Sequence, residues 1–294
     1  MTPANGHARD RRVKSCIFSV DVEDWFHILD LDAGPGMDEW ERLESRVDGN
    51  FRRLLDLFDE HGARVTCFFL GWIAERHPDL VKEAARRGHE VASHGYAHQL
   101  VYQQTPDEFL ADIRRAKGIV EEAAGTAVHG YRSPGFSCTA DTPWFFDKLE
   151  EAGYLYDSSV FPARRGHGGM EDARLEPHVI DGHRLIEFPI TVAPVAGRNI
   201  CFFGGGYLRL FPYRLVRSMA RRVLEDDRPV VFYVHPREID PAHPRLAMPA
   251  VRRFKSYVNL KTTEPKIHGL LKDFTVAPFI DFIRGDSSLS GVLS

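Results

Sequence analysis

Two histidines stand four residues apart in Ser93-His94-Gly95-Tyr96-Ala97-His98. Imidazoles at that spacing converge on one ion if the segment turns helically, as in the H-E-x-x-H pattern of other metal enzymes. The same spacing is common by chance in a chain with 14 histidines. A second cluster, Asp21-Val22-Glu23-Asp24, crowds three carboxylates into four residues. In an extended strand Asp21 and Glu23 share one face. Buried like charges are costly, so such a cluster is either solvated or neutralised by a cation. Together the clusters read as a metal site with His94 and His98 as imidazole ligands and a carboxylate from the Asp21–Asp24 segment. Mixed histidine and carboxylate donors suit zinc, with cobalt, nickel or manganese as alternatives. Three protein ligands would leave a position for water, which is the chemistry of a metal-dependent hydrolase.

Weaker candidates surround these. His235 ends the apolar run Val230–Val234 and precedes Pro236. It is either a structural histidine or a group able to exchange protons near neutrality. Arg132, in Tyr131-Arg132-Ser133-Pro134-Gly135, is either a functional cation or half of a surface salt bridge. Asp157, in Tyr156-Asp157-Ser158-Ser159, could equally be a cap. Trp25-Phe26-His27 could stack on a ligand ring or pack in the core. Arg164 to Gly169 is a basic loop able to meet phosphate or other acidic groups. Gly204-Gly205-Gly206 lets a backbone approach a ligand closely, but lacks the strand–helix setting of a phosphate loop.

These residues need a scaffold. Cys16–Val22, Arg64–Leu70, Glu90–Ala92, His129–Arg132, Tyr154–Tyr156, Arg184–Val192 and Pro229–Val234 read as strands or contain one. Helical spacing marks 48–61, 72–87 with a break at Pro78, 105–124, 141–152 and 212–225. Residues 162–182 read as a long loop, and the chain after 235 as Pro-broken until the helical stretches 267–273 and 278–284. Alternating strands and helices with short links imply a mostly parallel sheet with helices outside, and the number of units favours a barrel. In barrels functional side chains project from the carboxyl ends of strands, where every candidate acid and histidine falls.

Composition sits near globular norms and allows a core of ordinary size: 43% hydrophobic, 27% charged, net charge −4 over 294 residues. No concentrated basic face points to nucleic acid. Four dispersed cysteines, with no C-x-x-C pair, read as buried thiols. Residues 1–14 read as a disordered tail and 15–294 as one domain, with an extension from about 240. The polar start has no apolar signal core, and no stretch suffices to span a bilayer, so the expectation is a cytoplasmic protein without an integral membrane segment. Oligomeric state is open.

In this order, the motifs resemble the polysaccharide deacetylases of the NodB-homology group, carbohydrate esterase family four. Ser19-Val20-Asp21-Val22-Glu23-Asp24, Ser93–His98, Arg132-Ser133-Pro134-Gly135, a looser Tyr156-Asp157-Ser158-Ser159 and Tyr233-Val234-His235-Pro236 follow the family's five motifs. Asp-Val-Glu-Asp in place of the usual Asp-Asp pair is similar to the branch with allantoinase-like proteins and a peptidoglycan deacetylase. Phe203–Tyr207, His235–Asp240, Arg253–Tyr257 and Leu271–Phe274 resemble a subgroup encoded beside exopolysaccharide and exosortase genes. The resemblance implies a distorted (β/α)7 barrel and removal of an acetyl group from an N-acetylated sugar or oligosaccharide. It implies Asp21 as general base, His94, His98 and either Glu23 or Asp24 as ligands of a divalent metal, and Arg132 orienting Asp21. His235 would protonate the leaving amine, Asp157 would tune His235, and Gly135 would offer a backbone N–H to the oxyanion. The alternative activity is allantoinase-like hydrolysis of another C–N bond.

Overall fold

The structure, a computed structural model, describes residues 16–29, 31, 34–165 and 168–293; the expected tail at 1–14 lies outside them. The strands are β1 (Cys16–Val22), β2 (Thr66–Phe69), β3 (Glu90–Ser93), β4 (Gly130–Tyr131), β5 (Tyr156–Asp157), β6 (His178–Val179), β7 (Ile186–Glu187), β8 (Ala193–Val195), β9 (Arg198–Ile200), β10 (Val231–Val234) and β11 (Val276–Ala277). The main sheet runs β10-β1-β2-β3-β4-β5-β7-β6, with β11 also on β1. Seven of its strands, from β10 through β7 in that order, form one parallel series, and β6 adds antiparallel to β7. The sheet curls into a distorted barrel. Among the described residues the closure beside β10 has a single parallel bridge, Gly204 with Tyr233: Tyr233 donates its N–H to the Phe203 carbonyl at 3.3 Å, and the Thr191 hydroxyl accepts the Val231 N–H at 2.9 Å.

Side-chain alternation divides the core. From β1, Cys16, Phe18, Val20 and Val22 enter the layer between sheet and helices, while Ile17 enters the barrel. The barrel floor gathers Ile17, Phe68, Ala92, Tyr156, Ile186, Phe188 and Val231, and Phe279 closes it from below. Above the floor the interior turns polar, with Ser19, Asp21 and Arg132 all buried. That gradient, apolar below and charged above, places the candidate chemistry at the carboxyl ends of the strands.

The helices Val47–Glu60, Gly71–Arg76, Pro78–Arg86, Pro106–Ala124, Phe145–Glu151 and Tyr213–Glu225 fall close to their expected spans. Thr105 and Glu108 form a reciprocal capping box at the start of Pro106–Ala124, and Gly125 closes it in the left-handed conformation. The stretch after 235 is more ordered than its prolines suggest. A helix runs from Ala250 to Tyr257 directly after Pro249, because proline opens a helix as readily as it breaks one. Gly205–Leu210 is also helical, and β8–β9 is a hairpin turning on Ala196 and Gly197, both at positive φ. No described helix is long and apolar enough to cross a membrane. All four cysteines are free and buried.

Candidate active site

β1 delivers the first half of the site. Its inward face carries Ser19 and Asp21, and Glu23 follows just beyond the strand. Asp21 Oδ1 accepts from Arg132 Nη1 at 2.7 Å. The same Nη1 donates to the Ser19 hydroxyl at 2.8 Å, Nη2 to the Ser158 hydroxyl at 3.1 Å and Nε to the Ser158 carbonyl at 3.3 Å. The guanidinium also lies 4.2 Å over the Phe68 ring. Arg132 is therefore no surface salt bridge: it is fully buried and held on every side, so its position fixes that of Asp21.

The histidine segment converges by a route the spacing does not foretell. Residues 94–98 are not helical: Gly95 has φ +73° and His98 φ +52°. Asp112 holds the bend by accepting the N–H groups of Tyr96 and Ala97 at 2.8 and 3.1 Å. A side chain at Gly95 would meet Asp112 Oδ2 at 3.0 Å in a backbone conformation that disfavours L residues, so glycine is required there. The two imidazole rings end 5.4 Å apart.

His98 Nε2 lies 2.6 Å from Glu23 Oε2, and the ligand atoms of Glu23, His94 and His98 all fall within 4.8 Å of one another. His94 Nδ1 sits 2.8 Å from the Arg132 carbonyl, to which it must donate, leaving Nε2 free as a ligand atom. Burial pushes the His94 imidazole down to about 4, which keeps it in the neutral form a metal requires. Burial opposes charge on Glu23, yet His98, His235 and His94 together hold its carboxyl well below the usual range. Two closely spaced imidazoles, one of them fixed in its tautomer, and an ionised carboxylate fit a divalent cation.

Asp24 does not join them. Its carboxylate accepts from the Ser45 hydroxyl at 2.6 Å and from the N–H groups of Trp25, Arg46 and Val47 at 2.8, 2.9 and 3.2 Å. It anchors the start of the helix Val47–Glu60. With its carboxylate turned to Ser45 and the helix start, Asp24 is held away from the histidines, and Glu23 alone of the two meets them.

His235 ends β10 with Nε2 at 3.8 Å from Asp21 Oδ2 and 3.6 Å from Glu23 Oε1. Its Nδ1 faces Glu238 Oε2 at 3.3 Å, and its backbone N–H donates to the same oxygen at 3.0 Å. Glu238 is in turn ion-paired with the buried Arg209. Burial lowers the His235 imidazole, with Glu23 and Asp21 opposing. The expected tuning residue Asp157 is elsewhere, bonded to Ser159 at 2.6 Å, with burial raising both its carboxyl and that of Glu187. Glu238 takes that place. Locally the sequence shows only its backbone role, that of a carboxylate three residues after His235, which opens the turn Pro236–Ile239.

Other candidates resolve differently. Trp25, Phe26 and His27 are buried in a ring cluster with Trp40 and Trp72, and are not a free sugar platform. His27 alone reaches the cavity, and its Nε2 is buried without a partner among the described residues. Gly204 serves packing, since a side chain there would meet the Tyr233 ring at 2.1 Å; Gly205 and Gly206 line the cavity. Of the basic loop, Arg164 and Arg165 line the cavity, while 166 and 167 lie outside the described residues. The cavity measures about 500 Å³ and is also lined by Asp21, Glu23, His94, His98, Gly135 and His235.

Comparison with known proteins agrees with this geometry. Residues 28–156 match the polysaccharide deacetylase family, and 158–283 match a domain of unknown function, DUF3473. The peptidoglycan-N-acetylglucosamine deacetylase of Bacillus cereus is 33% identical over 82 residues, covering 28% of this chain and 30% of the relative. The peptidoglycan deacetylase-like protein FGM2 of Gibberella zeae is 32% identical over 110 residues, covering 37% and 32%. The chain thus spans about a third of the length of these curated relatives. Among solved structures, a Mycobacterium smegmatis protein described as a polysaccharide deacetylase matches with TM-score 0.58 at 22% identity, covering 91% of this chain and 87% of that one. The PuuE allantoinase matches with TM-score 0.59 at 16% identity, covering 94% and 91%. Both support the barrel fold. His94, His98 and Arg132 fall in the first matched segment, and His235 and Glu238 in the second. Residues 28–156 thus carry the polysaccharide deacetylase match, and the DUF3473 segment that follows supplies His235 and Glu238 to the same barrel mouth.

Proposed function

We propose that this protein is a divalent-metal-dependent deacetylase that hydrolyses the N-acetyl group of an N-acetylated sugar in a polysaccharide or its precursor. The observation that carries this reading is the meeting of Asp21, Glu23, His94, His98 and His235 at one barrel mouth, with Arg132 and Glu238 behind them. A base, an acid and a ligand set in one cavity are the parts that amide hydrolysis needs. A cation held by Glu23, His94 and His98, zinc by the donor chemistry, would polarise the amide carbonyl and acidify a water.

The chain's own residues do the rest. Arg132 occupies Asp21 Oδ1, so Asp21 Oδ2 is left to take a proton from the attacking water. The water oxygen bonds to the acetyl carbon, with Gly135 as the proposed backbone donor to the carbonyl oxygen. Glu238 turns the His235 ring so that Nε2 faces the reacting atoms, and Nε2–H protonates the departing nitrogen as the C–N bond breaks. Acetate and a free amine result.

The test is acetate release from N-acetylglucosamine, its oligomers and carrier-linked precursors, before and after chelation and zinc restoration. The wild type is expected to lose turnover on chelation and regain it with zinc. His94→Ala is expected to lose both bound metal, read by elemental analysis, and turnover. Acetate release by metal-free protein would overturn the scheme. Ring opening of allantoin without acetate release from any sugar would replace it with the cyclic-amide reading.

A further inference from the structure

The walls of the active-site cavity are far more cationic than deacetylation requires. Arg164, Arg165, Arg209, Arg237, Arg252 and Lys255 line it, against two acids, Asp21 and Glu23. The chain as a whole carries a net charge of −4, so composition does not account for the excess. Two acids do not balance it: Asp21 is bound to Arg132, and Glu23 supplies one negative charge to three histidines and Arg237 together. A bound divalent cation would add to the positive charge. Arg209 is matched by Glu238.

Arg237 is the telling residue. It lies on the turn Pro236–Ile239, two residues beyond His235, and its Nε and Nη1 are buried without a hydrogen-bond partner among the described residues. Arg252 Nε is in the same state, while Arg252 Nη2 is tied to the Leu29 carbonyl at 2.6 Å. Arg165 is fixed likewise, donating to the Gly135 carbonyl at 3.0 Å and lying 4.5 Å over the Phe161 ring. Desolvated guanidinium donors without partners are costly in a native structure, and both of these arginines line the cavity. The planar fork of arginine matches the oxygens of phosphate and carboxylate. An uncharged acetamido sugar would leave these donors unused.

We infer that the sugar deacetylated here carries an anionic oxygen group, phosphoryl or carboxylate, close to its acetamido ring, and that Arg237, Arg252 and Lys255 bind that group. The sugar half of this ligand rests on the deacetylase reading; the anion half rests on the cavity alone.

The test is calorimetric titration of the metal-free protein, where turnover cannot interfere. The probes are N-acetylglucosamine 1-phosphate, the methyl glycoside of N-acetylglucosamine, the corresponding N-acetylated uronic acid glycoside and inorganic phosphate. At least one charged sugar is expected to bind about tenfold or more tightly than the uncharged glycoside, the scale of one or two charge-assisted hydrogen bonds, and to weaken with salt. Phosphate-only or carboxylate-only preference identifies the group. Arg237→Gln is expected to bring the charged probe to the uncharged one's affinity. Lys255→Gln, at an exposed position that folding does not depend on, is expected to weaken it severalfold. Equal affinity for charged and uncharged sugars, or a preference untouched by either substitution, overturns the inference. Acetate release by zinc-loaded protein, measured in parallel, separates the two readings. Anion preference without acetate release removes the deacetylase and keeps the anion site; acetate release without anion preference does the reverse.

Discussion

The two ends of strand β3 pose the same physical problem and solve it in opposite ways. At its amino end Glu90 is half-buried beneath the barrel floor. Both of its oxygens are bonded: Oε2 accepts from the Thr66 hydroxyl at 2.6 Å and the Ile280 N–H at 3.1 Å, and Oε1 from the Tyr156 hydroxyl at 2.8 Å. The helix Phe279–Gly285 closes over it, with Phe279 stacked on Tyr156. Four residues later, past the carboxyl end, His94 enters a cavity lined also by His27 and Arg237, whose buried His27 Nε2, Arg237 Nε and Arg237 Nη1 lack partners among the described residues. Buried polar groups that are satisfied and covered hold a fold together. Those left unsatisfied around open space await a ligand. The same strand thus has a structural end and a chemical end.

The largest effect that would break this contrast is catalytic. Asp21→Asn keeps the shape of the Arg132 contact but cannot accept a proton. Acetate release is expected to fall about a hundred- to ten-thousand-fold, the usual span for a general base, with bound metal and melting temperature little changed. A variant that melts far earlier would make Asp21 a structural residue like Glu90.

The floor should show the opposite pattern. Burial pushes the Glu90 carboxyl up to about 7 from an ordinary 4.5, against its three hydrogen bonds. Between those values the folded state binds more protons than the unfolded one. This contribution is therefore fully present below about pH 4.5 and is lost as pH rises towards 7, by roughly 3 kcal/mol at most. Glu90→Gln removes the titration. Its urea-unfolding free energy is expected to gain on the wild type between about pH 5 and pH 7.5. Parallel pH profiles would show that Glu90 is not the group responsible.

The smallest effect separates two neighbours at the mouth itself. Asp24→Asn weakens the anchor of the helix Val47–Glu60 and is expected to cost about 1–2 kcal/mol of stability while bound metal is retained. Glu23→Gln is expected to do the reverse, losing metal with little change in the urea midpoint of the metal-free protein. Loss of metal in both variants would return Asp24 to the ligand shell.

Much of this was legible in the chain. Alternation along the first strand segment puts Asp21 and Glu23 on one side, and both reach the mouth although the strand itself ends at Val22. The capping box at Thr105 and the break at Pro78 are equally local, and so were readable. The route by which His94 and His98 converge was not, since their spacing suggested a helical turn. The bend instead depends on left-handed backbone at Gly95 and His98 and on Asp112 from another helix. Asp157 was misplaced as the partner of His235 for the same reason, since strand neighbours do not reveal which carboxylate lies across the mouth.

By itself, then, the sequence determined which side chains leave which face of each strand, the alternation that makes a parallel barrel, and the ordered motifs of a deacetylase family. Only the tertiary structure decided that Arg132 reaches Asp21 across 111 residues, that Glu238 rather than Asp157 backs His235, that Glu23 rather than Asp24 meets the histidines, and that cations from four separate stretches line one cavity. The division has one physical cause. Dihedral periodicity is written within a few residues, whereas contact across a barrel mouth depends on how the whole sheet curls.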